Sequence, residues 1–219
     1  MKARRGLLVT LVCVAILLAS CAGAEPEILF PDARVSLRLD PQTGATADIL
    51  RLYVAVRDPD GPDDPARIFV IHDDAELYWE MARESWAYLE YAGDDWYGTP
   101  DIRLPDGRDL PRGRYRVIVE DGSLSRDESE FFITEPSPDR SSAFPRLDLV
   151  SDPPRIVSDA PVIMHVYGRG GELVSNRGLA PGPVPPDVWS RVPDESGVQI
   201  FLVSAGDGYR KETGPYRLR

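Results

Sequence analysis

ILRLYVAVRDPDG, residues 49–61, decides the fold. In an extended chain Leu50, Leu52, Val54 and Val56 fall on one face, and Arg51 and Tyr53 on the other. That alternation marks a strand with one buried face. It stops at Asp58-Pro59-Asp60-Gly61, where proline fixes φ and glycine permits φ > 0, so the chain turns. Outward from this strand the pattern repeats. Val35-Ser36-Leu37-Arg38-Leu39 alternates in the same way, and Tyr115, Val117 and Val119 alternate with Arg116, Ile118 and Glu120. Ile68-Phe69-Val70-Ile71 is apolar on both faces, which suits a central strand. Asp121-Gly122 then turns the chain, and Phe131-Phe132-Ile133 returns it. With 21 prolines and 18 glycines scattered between short apolar runs, the reading is all-β.

Residues 73–92 fit two descriptions. Ala75, Tyr78, Trp79, Ala82, Trp86 and Leu89 have helical spacing, with Asp73 and Glu76 placed for a capping box. Leu77, Trp79 and Met81 also alternate with Tyr78 and Glu80, and aromatic enrichment favours strands. The β character of the flanking sequence decides for strands.

Residues 135–143 hold two prolines and three serines with little to bury, which is linker chemistry. They divide the chain into an expected domain at 29–134 and a smaller one at 144–219. Gly113 and Gly122 bracket residues 115–120, and Gly197 and Gly206 bracket Ile200-Phe201-Leu202-Val203 at the same spacing. Residues 160–166 stand to Leu147-Asp148-Leu149 as residues 49–56 stand to 35–39. These shared spacings describe two distant copies.

Leu110-Pro111-Arg112-Gly113-Arg114-Tyr115, leading into a strand, resembles the corner before strand F of immunoglobulin-like and fibronectin-III-like sandwiches. The resemblance implies two tandem immunoglobulin-like β-sandwich domains, the second smaller or truncated, with Tyr115 bonding back to the corner. Gln199 stands at the matching place of the second copy. Residues 28–134 also resemble lipoproteins of spirochaetes in Asp58-Pro59-Asp60-Gly61, Glu76-Leu77-Tyr78-Trp79, Trp96-Tyr97-Gly98 and the same corner. That likeness implies an address and a fold, and no activity.

The N-terminus states the address. Lys2, Arg4 and Arg5 precede an apolar run from Leu7 to Ala19, too short to span about 30 Å of hydrocarbon but suited to a secretion signal. Leu18-Ala19-Ser20-Cys21 resembles the bacterial lipobox. The resemblance implies a signal peptide at 1–20, a diacylglycerol thioether and an amine acyl chain such as palmitate on Cys21, and a tether at 21–28. Several acyl chains at about 0.8 kcal/mol per buried CH₂ anchor a protein stably. The bland alternative is an ordinary cleaved signal. Cys13 leaves with the signal, so the mature chain has no disulfide and no free thiol. Ala22 after the cysteine, in place of aspartate, favours the outer membrane.

Cleavage leaves 199 of 219 residues, and losing the three cations takes the net charge from −11 to −14. Such a chain repels nucleic acid and anionic headgroups. The membrane is expected as a partner only through Cys21.

Seven of the nineteen aromatics lie between Tyr78 and Tyr97. Tyr78, Trp79, Trp86, Trp96 and Tyr97 are the candidates for stacking on a glycan or anchoring a protein. Against that, strand alternation buries about half of any such run. Asp58, Asp60, Asp63 and Asp64 are the candidates for Ca²⁺, which takes six to eight oxygens. A solvated turn is the simpler reading, because Pro59, Pro62 and Pro65 hinder convergence and no terminal glutamate closes the loop. No other cofactor is indicated. The two histidines, His72 and His165, read as core or strand-end residues. A proline-rich stretch at 178–186 reads as a stiff loop. The expectation is therefore a lipid-anchored envelope protein, without catalysis, that binds another envelope protein. Glycan or peptidoglycan binding through the aromatic cluster is the alternative, and a glycan hydrolase is third.

Overall fold

The computed structural model describes residues 23–136, 139–141, 143–169, 173–193, 196–204 and 210–217. The expected signal peptide and Cys21 lie outside the described residues. The chain is all-β. Its strands are β1 (Glu27–Leu39), β2 (Thr46–Arg57), β3 (Pro65–His72), β4 (Leu77–Ala82), β5 (Ala87–Tyr91), β6 (Asp94–Ile102), β7 (Gly113–Asp121) and β8 (Arg126–Ile133). They continue as β9 (Arg146–Asp148), β10 (Arg155–Val157), β11 (Val162–Tyr167), β12 (Leu173–Leu179), β13 (Gly182–Pro183), β14 (Gln199–Ser204) and β15 (Arg210–Arg217). A single turn of helix, α1 (Pro186–Trp189), precedes β14. Hydrogen bonding orders eight strands as β12-β11-β14-β15-β1-β2-β6-β5, four as β4-β3-β7-β8 and three as β13-β10-β9. Among the described residues no helix is long and apolar enough to cross a membrane.

The deciding stretch behaves as its pattern requires: Leu50, Leu52, Val54 and Val56 are buried, while Arg51 and Tyr53 are half-exposed. Residues 73–92 form two strands, each preceded by one 3₁₀ turn. The helical option fails at Glu76, which adopts φ +53° and closes the first turn through its N–H to the Asp73 carbonyl at 3.1 Å. His72 caps that turn, its Nδ1 accepting the Ala75 N–H at 3.2 Å. Asp73 instead faces Arg116, which donates to it from Nε at 2.8 Å.

The chain divides into two compact units, each drawn from three segments. The first comprises the described parts of Met1–Asp32, Tyr53–Thr99 and Arg114–Phe131. Val54, Val56 and Tyr97 are buried from one of its sheets, and Ile68, Val70, Tyr115, Val117 and Val119 from the other, where they alternate with half-buried Phe69, Arg116 and Ile118. That is the pattern of two layers, each hiding one face. Tyr115 is fully buried at its centre, stacked on Phe131 at 5.2 Å and met edge-on by His72 at 4.6 Å. Truncating such a ring to alanine costs about 3–5 kcal/mol. Glu120 is also fully buried, held by the guanidinium groups of Arg67 and Arg126.

The second unit comprises Ala33–Leu52, Pro100–Gly113 and the described parts of Phe132–Arg219. Its core joins Val162, Met164, Val166, Ile200 and Leu202 of the large sheet to Leu147 and Ile156 of the three-stranded one, with Val188 of α1. The N-terminal strand completes this unit from the far end of the chain: β1 runs parallel to β15, pairing Ser36 with Arg210 and Leu39 with Thr213. The segment Leu110–Gly113 is held by Asp48, fully buried, which accepts the Leu110 N–H at 3.1 Å and Arg112 Nη1 at 3.2 Å. In the 135–143 segment Arg140 donates to the Thr46 hydroxyl at 2.8 Å and pairs with Asp109, so Arg140 is fastened to its unit.

Candidate binding surface

β5 and β6 form a hairpin whose turn is Ala92-Gly93. Both residues have positive φ, +57° and +88°, as a type I′ turn demands. Alanine adopts that conformation reluctantly and glycine freely, so only a two-residue loop of this kind keeps the strand twist and the register. The register pairs Tyr88 with Tyr97, Leu89 with Trp96 and Tyr91 with Asp94. Directly opposed residues share a face. Trp86, Tyr88 and Tyr97 therefore lie on one face, where the Tyr97 ring is 5.5 Å from Trp86 and 5.4 Å from Tyr88. Leu89 and Trp96 lie on the other, where Phe30 of β1 meets Trp96 edge-on at 4.9 Å.

β5 is the last strand of its sheet, and all five of its residues are exposed. Tyr88 is 49% exposed, Leu89 41% and Tyr91 67%. Side chains on both faces of one edge strand thus reach solvent, beside a row of backbone groups that no further strand of the described residues covers.

The five aromatic candidates separate. Tyr97 is only 2% exposed, and its hydroxyl donates to the Pro62 carbonyl at 2.7 Å. It is a floor on which Trp86 and Tyr88 rest and offers no stacking face. Trp86 and Trp96 are half-buried in the hairpin, with Trp96 Nε1 donating to the Tyr91 carbonyl at 3.4 Å. Tyr78 and Trp79 belong to β4 in the four-stranded sheet, where Trp79 stacks 6.4 Å from Tyr115 and Tyr78 is 58% exposed. The residues that expose most apolar surface at the hairpin are Tyr88, Leu89, Tyr91 and Phe30. Sequence alternation does not single them out, because β5 buries neither face.

Carboxylates ring this surface. The Tyr88 hydroxyl donates to Asp95 at 2.7 Å, and that bond, with the charges of Asp95, Glu90 and Asp63, pushes the phenol up to about 12. Tyr78 donates to Glu80 at 2.6 Å, which likewise raises its pKa. Burial, and then Asp95, raises Tyr97.

Of the four acidic candidates, Asp58, Asp60 and Asp64 converge, with one oxygen of each within 4.8 Å of the others. Asp63 turns away, fully exposed and 3.8 Å from Arg83. Asp58 Oδ1 accepts the Asp60 N–H at 2.9 Å, while its Oδ2 is buried without a hydrogen-bond partner. Burial raises the Asp58 pKa, and Asp64, Asp60 and Asp121 add to the rise. Asp60 already receives the Ala24 N–H at 2.6 Å. Only one oxygen of each carboxylate converges, against the six to eight that Ca²⁺ takes, and two of their six oxygens already accept backbone N–H groups.

The histidines sit one in each unit. His72 ends β3, 3% exposed. His165 lies half-buried on β11, stacked 6.3 Å from Tyr167, and burial, then Arg51, lowers its pKa. Comparison of the chain with protein-family models and with curated protein sequences gives no match.

Proposed function

We propose that this chain is a lipid-anchored protein of the bacterial cell envelope that holds another envelope protein at the β5 edge. The observation that carries the reading is the exposure of all of β5, with Tyr88, Leu89 and Tyr91 flanking an uncovered row of backbone groups. An extended segment of a partner adds to such an edge by main-chain hydrogen bonds, and exposed side chains on alternate faces set its specificity. Tyrosines serve this purpose well, because a large rigid ring is ordered at little entropic cost. Glu90, Asp94 and Asp95 beside them favour a partner strand bearing lysine or arginine. The lipobox-like Leu18-Ala19-Ser20-Cys21 supports anchoring through Cys21, and Ala22 supports the outer membrane.

A glycan is the second reading, favoured by the Tyr88–Asp95 pair. A ring face beside a carboxylate acceptor suits the C–H face and hydroxyl groups of a pyranose. In-cell cross-linking of the tagged full-length chain, followed by mass spectrometry, tests both. A protein captured reproducibly and lost in Tyr88→Ala or Tyr91→Ala supports docking at β5. Muropeptide or other glycan recovered without protein moves the site to sugar binding. A protein captured equally by both variants overturns docking at this edge.

A further inference from the structure

The eight-stranded sheet ends at β5 on one side and at β12 on the other. Among the described residues neither end strand has a further neighbour, so each presents its own row of backbone groups. Natural sheets blunt such edges with lysine, proline or a run of charges. β8, an edge of the four-stranded sheet, does so with Arg126, Asp127, Glu128 and Glu130. β5 and β12 do not. Neither contains lysine or proline, and each carries a single charge, Glu90 in β5 and Arg177 in β12.

Those two charges are unanswered within the chain. The hairpin register sets Glu90 directly opposite Asp95. Like charges so placed repel. Asp95 accepts the Tyr88 hydroxyl, and neither carboxylate has an ion pair among the described residues. A cation is what this pair lacks. Arg177 is exposed, and its side chain has no hydrogen bond or ion pair among the described residues. Exposed apolar groups accompany each charge: Tyr88, Leu89 and Tyr91 on β5, and Leu173 and Val174 on β12. β4, the other edge of the four-stranded sheet, also carries one carboxylate, Glu80. Tyr78 and Arg67 already occupy it.

We propose that the β5 edge of one copy of this chain is occupied by the β12 edge of a second copy. This names the partner of the β5 site and rests on the docking reading given above. The two strands join by main-chain hydrogen bonds, and Arg177 of one copy reaches Glu90 and Asp95 of the other. A guanidinium suits that task, because its fork of donors serves two carboxylates at once. The two edges differ, so a pair of copies keeps one edge of each kind free and further copies add head to tail. Copies anchored in one membrane through Cys21 meet at high effective concentration, so a contact of five residues suffices.

Two differently tagged copies of the full-length chain, expressed together in the bacterial envelope, test the proposal. One of them carries the photoreactive p-benzoylphenylalanine in place of Tyr91. Illumination is expected to join the copies, with cross-linked peptides mapping to Leu173–Leu179 of the partner copy. Glu90→Arg in both copies, or Arg177→Glu in both, is expected to reduce the joined product roughly fivefold. A Glu90→Arg probe copy set against an Arg177→Glu partner is expected to restore it, which also shows that both variants fold. Reduction without restoration overturns the pairing of these two charges. A joined product unchanged by Arg177→Glu, or mapping outside β12, overturns β12 as the occupant. Capture of a different protein at position 91, with no joined copies, overturns self-pairing and leaves docking at β5 standing. Capture of nothing overturns both.

Discussion

Arg38 of β1 donates from Nε to Glu212 of β15 at 3.1 Å, joining residues 174 positions apart. Both side chains are only 13% exposed, and Ser36 adds a hydrogen bond to the same carboxylate at 3.1 Å. Arg38 also lies 5.1 Å from the Phe201 ring centre, so its plane is packed as well as charged. A pair so shielded is worth more than a surface ion pair, because little water screens it. Glu212→Gln is expected to cost about 1–2 kcal/mol, because Arg38 then keeps only the weaker, more exposed pair with Asp101 at 3.6 Å. In a double-mutant cycle with Arg38→Met, urea unfolding should show a coupling of about 1 kcal/mol or more. Additive losses would show that the pair contributes nothing as a pair.

Asp58 carries a cost that substitution removes. Its Oδ2 is buried unpartnered beside Asp60 and Asp64, and its pKa is raised, so its charged form is disfavoured in the fold. The stabilising effect of that shift is present below the unfolded value and is lost as pH rises through the folded one. Asp58→Asn keeps the Oδ1 acceptor for the Asp60 N–H and places donors against its neighbours. It should raise stability at neutral pH by about 1 kcal/mol, roughly 2–4 °C in Tm for a chain of this size. A calcium-dependent rise in wild-type Tm that disappears in Asp58→Asn would establish the turn as a cation site instead.

His165 sets a pH dependence of opposite sense. Its pKa is lowered from 6.5 by burial first and then by Arg51, so the unfolded chain binds the proton more readily than the folded one. Stability from this group is complete above the ordinary value and is lost as pH falls through the lowered one. The urea midpoint of wild type should drop on acidification below about pH 6.5 more steeply than that of His165→Gln. Parallel curves would remove His165 from the acid response.

The aromatic cluster should divide by burial when stability is measured. Tyr91→Ala, at a 67% exposed position, should change stability by less than about 0.5 kcal/mol. Tyr97→Phe, which removes the hydrogen bond to Pro62, should cost about 1 kcal/mol. Equal losses at the two positions would mean that the β5 edge is covered.

Anchoring rests on one thiol. Cys21→Ala should abolish labelling of the protein by a clickable palmitate analogue and shift it from membrane to soluble fractions. Retention in the membrane fraction would assign anchoring to another part of the chain.

Much of this architecture is legible in the residues themselves. Alternation at 49–56 and 115–119, and turns at Asp58-Pro59-Asp60-Gly61 and Asp121-Gly122, identify an all-β chain, because side-chain period and turn chemistry are local properties. The gathering of aromatics near residue 90 is legible too, whereas the convergence of Asp58, Asp60 and Asp64 is not, because Pro59, Pro62 and Pro65 read as hindering it. Nor is it legible which ring faces outward. Tyr97 and Tyr88 have the same chemistry and share a face, yet one is a floor and the other a surface, because β6 has a neighbour on each side and β5 has one. The pairing of β1 with β15 likewise depends on which distant segment best covers the apolar edge, and no local pattern encodes that choice. The burial of Thr213 follows from the same pairing, since β15 there lies between β1 and β14. Residue type determined the strands and turns; only the tertiary structure, through long-range burial, decided which faces and groups were left to act.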